Sequence, residues 1–203
     1  MFTAYLKNLC HHQRGAMFGL DARIALAIIA GLSIIAGASM IQIMKDRRVD
    51  TLLFEQEKFA SAVSAIQEDL EGNIHGSLTT ANNANAFLAL VDGTLLTAAM
   101  QNRWLGPYLR DYYSTNHQDY GVYSLAQQEA VITNACSVAE MRNRQCYYWL
   151  TISQVPLTVV NDLNTKVDGT GEGTPQNEGA IQWDTITATT ARLYMRLGLS
   201  MAP

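Results

Sequence analysis

A chain of 203 residues with a formal net charge of −4 has room for one or two domains. Its apolar content is concentrated in the first quarter, so the remaining ~150 residues can bury one modest core. The mild acidity comes with no basic stripe and no groove-reading motif, so no nucleic-acid partner is predicted.

The first element is apolar. Residues 24–44 carry no charge, which is about 21 residues or ~31 Å of helix, close to the hydrocarbon thickness of a bilayer. The charged string Lys45-Asp46-Arg47-Arg48 follows at once. A secretory signal peptide has a shorter apolar core and a small-residue cleavage site after it, so an anchor is the better reading. Lys7 and Arg14 fit an inside N-terminus, although Lys45, Arg47 and Arg48 weaken the charge asymmetry. Asp21 and Arg23 stand where lipid should begin. A carboxylate in a membrane helix is costly even at shallow depth and asks for a partner cation or a nearby helix N-terminus.

The segment "RGAMFGLDARIALAIIAG" resembles the N-terminus of type IV prepilins and of the pseudopilins of type II secretion. That family has a short basic leader, a hydrophobic first mature residue, an acid at the fifth mature position and an apolar helix. Carried onto this chain, the processing residues are Gly15, Ala16 and Met17. Cleavage after Ala16 makes Asp21 the fifth mature residue; cleavage after Gly15 makes it the sixth. The family's glutamate is here an aspartate, and Arg23 is a charge in a stretch usually apolar. The resemblance implies that Asp21, with Arg23 beside it, serves assembly by pairing with the new α-ammonium of Met17.

Apolar residues then recur at Val49, Leu52, Leu53, Phe59, Val63, Ile66 and Leu70, one helical face. Glu55, Glu57, Lys58, Ser61, Ser64, Gln67 and Glu68 make the predicted polar face. No proline precedes Pro107, so one helix is expected from residue 17 to residue 71, with a break near residues 45–48 as the alternative. A short helix is expected over residues 84–100, with Asp92-Gly93 as an interruption. "RWLGPYLRDYY" follows, in which Trp104, Gly106, Pro107 and Tyr108 resemble a pseudopilin element joining the long helix to the sheet. Strands are expected in "YGVYSL", "EAVITNAC", "CYYWLTISQV", "AIQW" and "ARLYMRLGL". Residues 156–169 read as a short helix with proline at its start and glycine at its end.

Cysteine usage follows the same split. Cys10 precedes the apolar run, while Cys136 and Cys146 follow it. If residues after the run are exported, the later pair meets an oxidising compartment and is expected to form a disulfide; two separate core thiols are the alternative. Asp168, Glu172 and Glu178 lie in a glycine-rich loop; a solvated acidic loop is the favoured reading, with a Ca²⁺ site on these carboxylates as the alternative. His11 and His12 sit in the leader, leaving His75 and His117 beyond it. No H-E-x-x-H, G-x-S-x-G, P-loop or C-x2-C pattern occurs, and Trp104, Trp149 and Trp183 are expected in the core or an interface.

The expected architecture is α+β and pilin-like. Residues 1–16 are a leader, residues 17–48 the membrane and assembly half of the long helix, and residues 49–203 an exported domain with that helix packed on an antiparallel sheet. The function implied is structural rather than enzymatic: a subunit of a type IV pilus or a type II secretion pseudopilus. Implied partners are a prepilin peptidase, an inner-membrane assembly platform with its ATPase, and copies of itself or other pilin-like subunits. Its place would be the bacterial inner membrane, then a periplasmic or extracellular filament. The alternative is a signal-anchored periplasmic ligand-binding or sensor domain.

Overall fold

The computed structural model describes residues 12–136, 145–169 and 178–200. It opens with one 59-residue helix, α1 (His12–Leu70). The single helix is as expected and the alternative break near residues 45–48 does not occur, because nothing in that string removes a backbone donor or demands a positive φ. α1 ends where Glu71 turns to a left-handed φ of 52°. The orphaned carbonyls of its last turn are met by the Glu71 N–H on Glu68 O and the Gly72 N–H on Gln67 O. The chain divides into two compact units, Met1–Arg47 and Arg48–Pro203.

In the second unit four short helical pieces follow: α2 (Ile74–Ser77), α3 (Asn83–Leu88), a 3-10 turn (Gly93–Leu95) and α4 (Ala98–Gln101). Asparagine and aspartate caps start three of them, with Asn73, Asn82 and Asp92 each accepting a backbone N–H two or three residues on. The helix expected over residues 84–100 is therefore broken, and the break falls at Asp92-Gly93. Trp104 explains why a glycine stands there. Its indole lies so close that a Cβ on Gly93 would be 2.6 Å away, and one on Gly106 would be 2.5 Å away. The indole N–H donates to Ala89 O at 3.0 Å, closing the wedge.

The sheet comprises β1 (Tyr123–Gln128), β2 (Tyr147–Pro156), β3 (Ile181–Thr185) and β4 (Thr190–Leu199). Its order is β1-β2-β4-β3 and every pairing is antiparallel. α5 (Leu157–Val167) lies between β2 and β3 in the chain and packs on β2, β3 and β4. "EAVITNAC" does not form the strand expected of it. Its Glu129 N–H donates to Asn134 O and its Asn134 N–H to Val131 O, so the segment turns back on itself. Only Ala135 bridges to Gln128. Its β-branched residues serve the second face of the sheet instead: Ile132 packs with Ala126, Trp149 and Tyr194.

The main core lies on the first face. Leu125 pairs with Leu150, Leu150 with Met195, and Trp183 with Leu193. These residues join Leu52, Phe59, Val63, Ile66 and Leu70 of α1 in one buried cluster. Phe59 sits at its centre, with ring centroids 5.5 Å from Phe87, 5.0 Å from Tyr112 and 5.4 Å from Tyr123. The predicted polar face of α1 needs one correction. Gln67 is buried, and the Glu55 side chain is only 12% exposed.

Candidate functional site

Two places hold chemistry that a packed core does not require. The first is the apolar part of α1. Its apolar side chains stand in the open: Ile24, Leu26, Ile28, Ile29, Leu32, Ile34 and Ile35 are all more than half exposed. Nothing lies within 4 Å of a Cβ placed on Gly31 or Gly37. The two hydroxyls in this stretch turn inward on the backbone: Ser33 Oγ donates to Ile29 O at 2.8 Å and Ser39 Oγ to Ile35 O at 3.1 Å. This satisfies both donors within the helix and leaves its outer surface apolar. At the end of the stretch Gln42 donates to Asp46 at 3.1 Å, where charge resumes. By length and composition this helix can cross a membrane, and it lies near the N-terminus, as both an anchor and a signal sequence do.

The processing residues Gly15, Ala16 and Met17 fall within the backbone of α1. Asp21 and Arg23 are exposed on it, two residues apart. Cys10, His11 and the rest of residues 1–11 lie outside the described residues.

The second place is a buried carboxylate in the other unit. Glu55 projects from α1 into the core edge, where the Tyr123 hydroxyl donates to its Oε1 at 2.9 Å. His117 Nε2 lies 3.4 Å from Glu55 Oε2, with that imidazole almost fully buried. His117 Nδ1 accepts the backbone N–H groups of Asp119 at 2.9 Å and Tyr120 at 3.2 Å. An acceptor at Nδ1 places the ring proton on Nε2, on the side of Glu55, although the 3.4 Å approach does not meet hydrogen-bond geometry. Aromatic rings wall the group: His117 lies 4.5 Å from Tyr120 and 5.0 Å from Tyr123. Burial, and then the Glu55 charge, push the Tyr123 hydroxyl far above its ordinary value of 10 and raise Tyr112 as well. The Tyr123 hydroxyl that holds the carboxylate thus keeps its proton. The arrangement fastens α1 to the 115–123 segment. It has an acid, a base and phenols, but among the described residues no serine, threonine or cysteine is hydrogen-bonded to His117 as a nucleophile would be.

The sequence pattern singled out neither residue, but one signal pointed to Glu55. It lies three residues after Leu52 and four before Phe59, on the apolar stripe itself. Gln67 lies on the same stripe, four residues after Val63 and three before Leu70. A polar residue at a stripe position is a residue that must find a buried partner.

The remaining sequence candidates separate. Cys136 and Cys146 are disulfide-bonded; the loop they close, residues 137–144, lies outside the described residues. Asp168 terminates α5, and its carboxylate is occupied. Oδ1 accepts from the Ala180 N–H at 2.9 Å and Oδ2 from the Ile181 N–H at 2.8 Å. Gly179 makes this possible: its φ is +89° and a Cβ there would meet the Asp168 carboxyl carbon at 2.5 Å. Glu178 is exposed, and Glu172 lies outside the described residues. Among the described residues no three His, Cys, Asp or Glu side chains are grouped to hold a metal ion. His75 Nε2 meets Asn83 at 3.3 Å and its ring stacks on Tyr148; burial lowers its pKa. Trp149 and Trp183 are buried in the sheet, and Trp104 is half-buried in its glycine wedge.

Comparisons of this chain with protein-family models, with curated proteins and with solved structures found no match to any of them.

Proposed function

We propose that this chain is a membrane-anchored structural subunit of pilin type, built to assemble through its N-terminal helix. One observation carries the reading: residues 24–44 present an apolar surface around the helix, and both serine hydroxyls in it are turned onto its own backbone. Such a surface is stable only in lipid or against other apolar helices. Three further features support the same reading. Asp21 stands at the position where a cut after Ala16 would make it the fifth residue. The α+β second unit packs one face of its sheet on the C-terminal part of the same helix. The Cys136–Cys146 disulfide belongs to an oxidising compartment.

On this reading a prepilin peptidase removes residues 1–16 in the bacterial inner membrane. An assembly platform then transfers the helix from lipid into a periplasmic or extracellular filament of this chain with other pilin-like subunits. The work is mechanical, and no catalytic residue is assigned. Mass spectrometry of the N-terminal peptide, from cells with and without an active prepilin peptidase, tests it. The expected mature start is Met17, and only where the peptidase is active. A start at Met1 in both, or one beyond Gly19, overturns the reading in favour of a plain anchor.

A further inference from the structure

Among the described residues, the second face of the sheet is covered over only part of its area. The 129–136 segment closes one end: Trp149 Nε1 donates to Glu129 O at 3.1 Å, Gln182 Nε2 donates to Ala130 O at 2.6 Å, and the Ile132 N–H donates to Gln182 Oε1 at 3.0 Å. At the other end, among the described residues, β1, β2 and β4 floor an open cleft of about 440 Å³. That volume is in the range of small-molecule sites. We propose that this cleft binds a neutral, hydroxyl-rich ligand of sugar size.

The argument is a count of hydrogen-bonding capacity. Ser124 Oγ and Thr151 Oγ1 lie 2.5 Å apart on neighbouring strands. One hydrogen serves that contact, so one of the two O–H groups remains to donate. Ser153 Oγ accepts the Val122 N–H at 2.8 Å, which leaves its own proton free in direction. Tyr194 OH receives Arg192 Nη1 at 3.5 Å and likewise keeps its proton. Against these donors stands one orphan: Gln128 Oε1 is buried and, among the described residues, has no hydrogen-bond partner. A buried acceptor without a partner calls for an explanation, and a ligand hydroxyl supplies one. All five side chains line the same cleft.

Charge selects among ligands. The guanidinium of Arg192 is already 3.4 Å from the Asp184 carboxylate, so the cleft offers an anion little uncompensated charge. Its remaining polar groups are hydroxyls and amides, each both donor and acceptor, and that is the complement of a polyol. The methyl of Ala126 on the floor provides apolar contact for the C–H face of a sugar ring. The inference does not depend on filament assembly, since it uses only groups of the second unit.

The test uses the full chain in lauryldimethylamine oxide micelles, a detergent without a sugar headgroup. Saturation-transfer NMR titrations are made with D-glucose, D-galactose and N-acetyl-D-glucosamine, and with the tetrasaccharides cellotetraose and chitotetraose. Saturable binding of at least one of them is expected. It should weaken at least tenfold in Thr151→Val and in Gln128→Leu, return in Thr151→Ser, and stay at the parental level in Ser64→Ala on α1. Thermal melts confirm that each variant is folded. A tetrasaccharide bound at least tenfold more tightly than its monomer identifies a glycan chain as the source; equal affinities identify a free sugar. Absence of saturable binding by the folded parent overturns the proposal. So does parental affinity in both Thr151→Val and Gln128→Leu, or displacement of the sugar by an equal concentration of inorganic phosphate.

Discussion

Glu55 shows what a single residue is asked to do here. Its carboxylate accepts from Tyr123 and faces Nε2 of His117 in a setting walled by rings. Glu55→Ala leaves the Tyr123 hydroxyl buried without its acceptor, at a cost of about 1–3 kcal/mol. Urea denaturation should therefore show a loss of ~1–3 kcal/mol, with Glu55→Gln losing less because its amide oxygen still accepts. Equal stability of parent and Glu55→Ala would show that the cluster is held by packing alone. Titrating residues set the pH limits of the fold. Burial depresses the His75 pKa below its ordinary 6.5. Below pH 6.5 the unfolded chain then binds a proton that the native state refuses, so stability is full above 6.5 and falls on acidification. At the alkaline end, burial, and then the hydrogen bond to Asp69, push Tyr108 up to about 12, while burial pushes Tyr148 up to about 12. Both start from an ordinary 10, so their contribution is complete below pH 10 and is lost as pH rises toward 12. Urea midpoints measured from pH 5 to pH 11 should fall at both ends. His75→Gln should flatten the acid side only, and Tyr148→Phe the alkaline side only.

Among the elements, β2 is the strand buried on both faces. Tyr148, Leu150 and Ile152 belong to the main core, while Trp149 belongs to the smaller cluster beneath Ile132. The disulfide holds the chain immediately before β2 to the end of the 129–136 segment that covers Trp149. Closing so short a loop is worth about 3 kcal/mol in the chain-entropy model. Reduction should lower the denaturation midpoint by an amount of that size, and Cys136→Ser with Cys146→Ser should reproduce it. A midpoint unmoved by reductant, with both thiols then trapped by alkylation, would show the covering segment to be held by its packing and by its hydrogen bonds to Gln182 and Trp149. Much of this was legible beforehand. The aromatic and β-branched run "CYYWLTISQV" became β2, and the proline-to-glycine span became α5. "EAVITNAC" was misread because strand propensity describes a half-buried pleated surface, and a covering loop over Trp149 makes the same demand of Ile132. The predicted polar face of α1 was misread at Glu55 and Gln67 for a related reason: periodicity reports which direction a side chain points, and polarity does not exclude a buried partner.

At the scale of the whole molecule, the two compact units differ in what stabilises them. Arg48–Pro203 carries its own core, while the large apolar side chains between residues 24 and 44 are exposed among the described residues. On the proposed function, Asp21 neutralises an α-ammonium that would otherwise sit unpaired among apolar helices, a costly arrangement. Asp21→Ala should insert, be processed and fold normally, yet assemble into filaments several-fold less efficiently, and Asp21→Glu should restore assembly. Filament yield scored by electron microscopy of sheared material, against processed subunit in membranes, is the measurement. Undiminished filaments from Asp21→Ala would remove the charge pair from the mechanism.

The apolar span, the long helix and most strand positions could be read from the chain itself, because they depend on local periodicity, uninterrupted apolar length and the absence of proline. The disulfide could be read once export was assumed. Other features were decided only by tertiary structure, since each joins residues far apart in sequence. His117 meets Glu55 across 62 residues of chain (117 − 55 = 62). Trp104 settles between Gly93 and Gly106. Asp168 uses its carboxylate on the backbone at residues 180 and 181, a role that composition alone reads neither as solvated nor as ligating. The polar cleft joins three strands whose hydroxyls look, in sequence, like the solvent side of a sheet. Local rules fix which way a side chain points; what it meets there depends on how the loops close over each face.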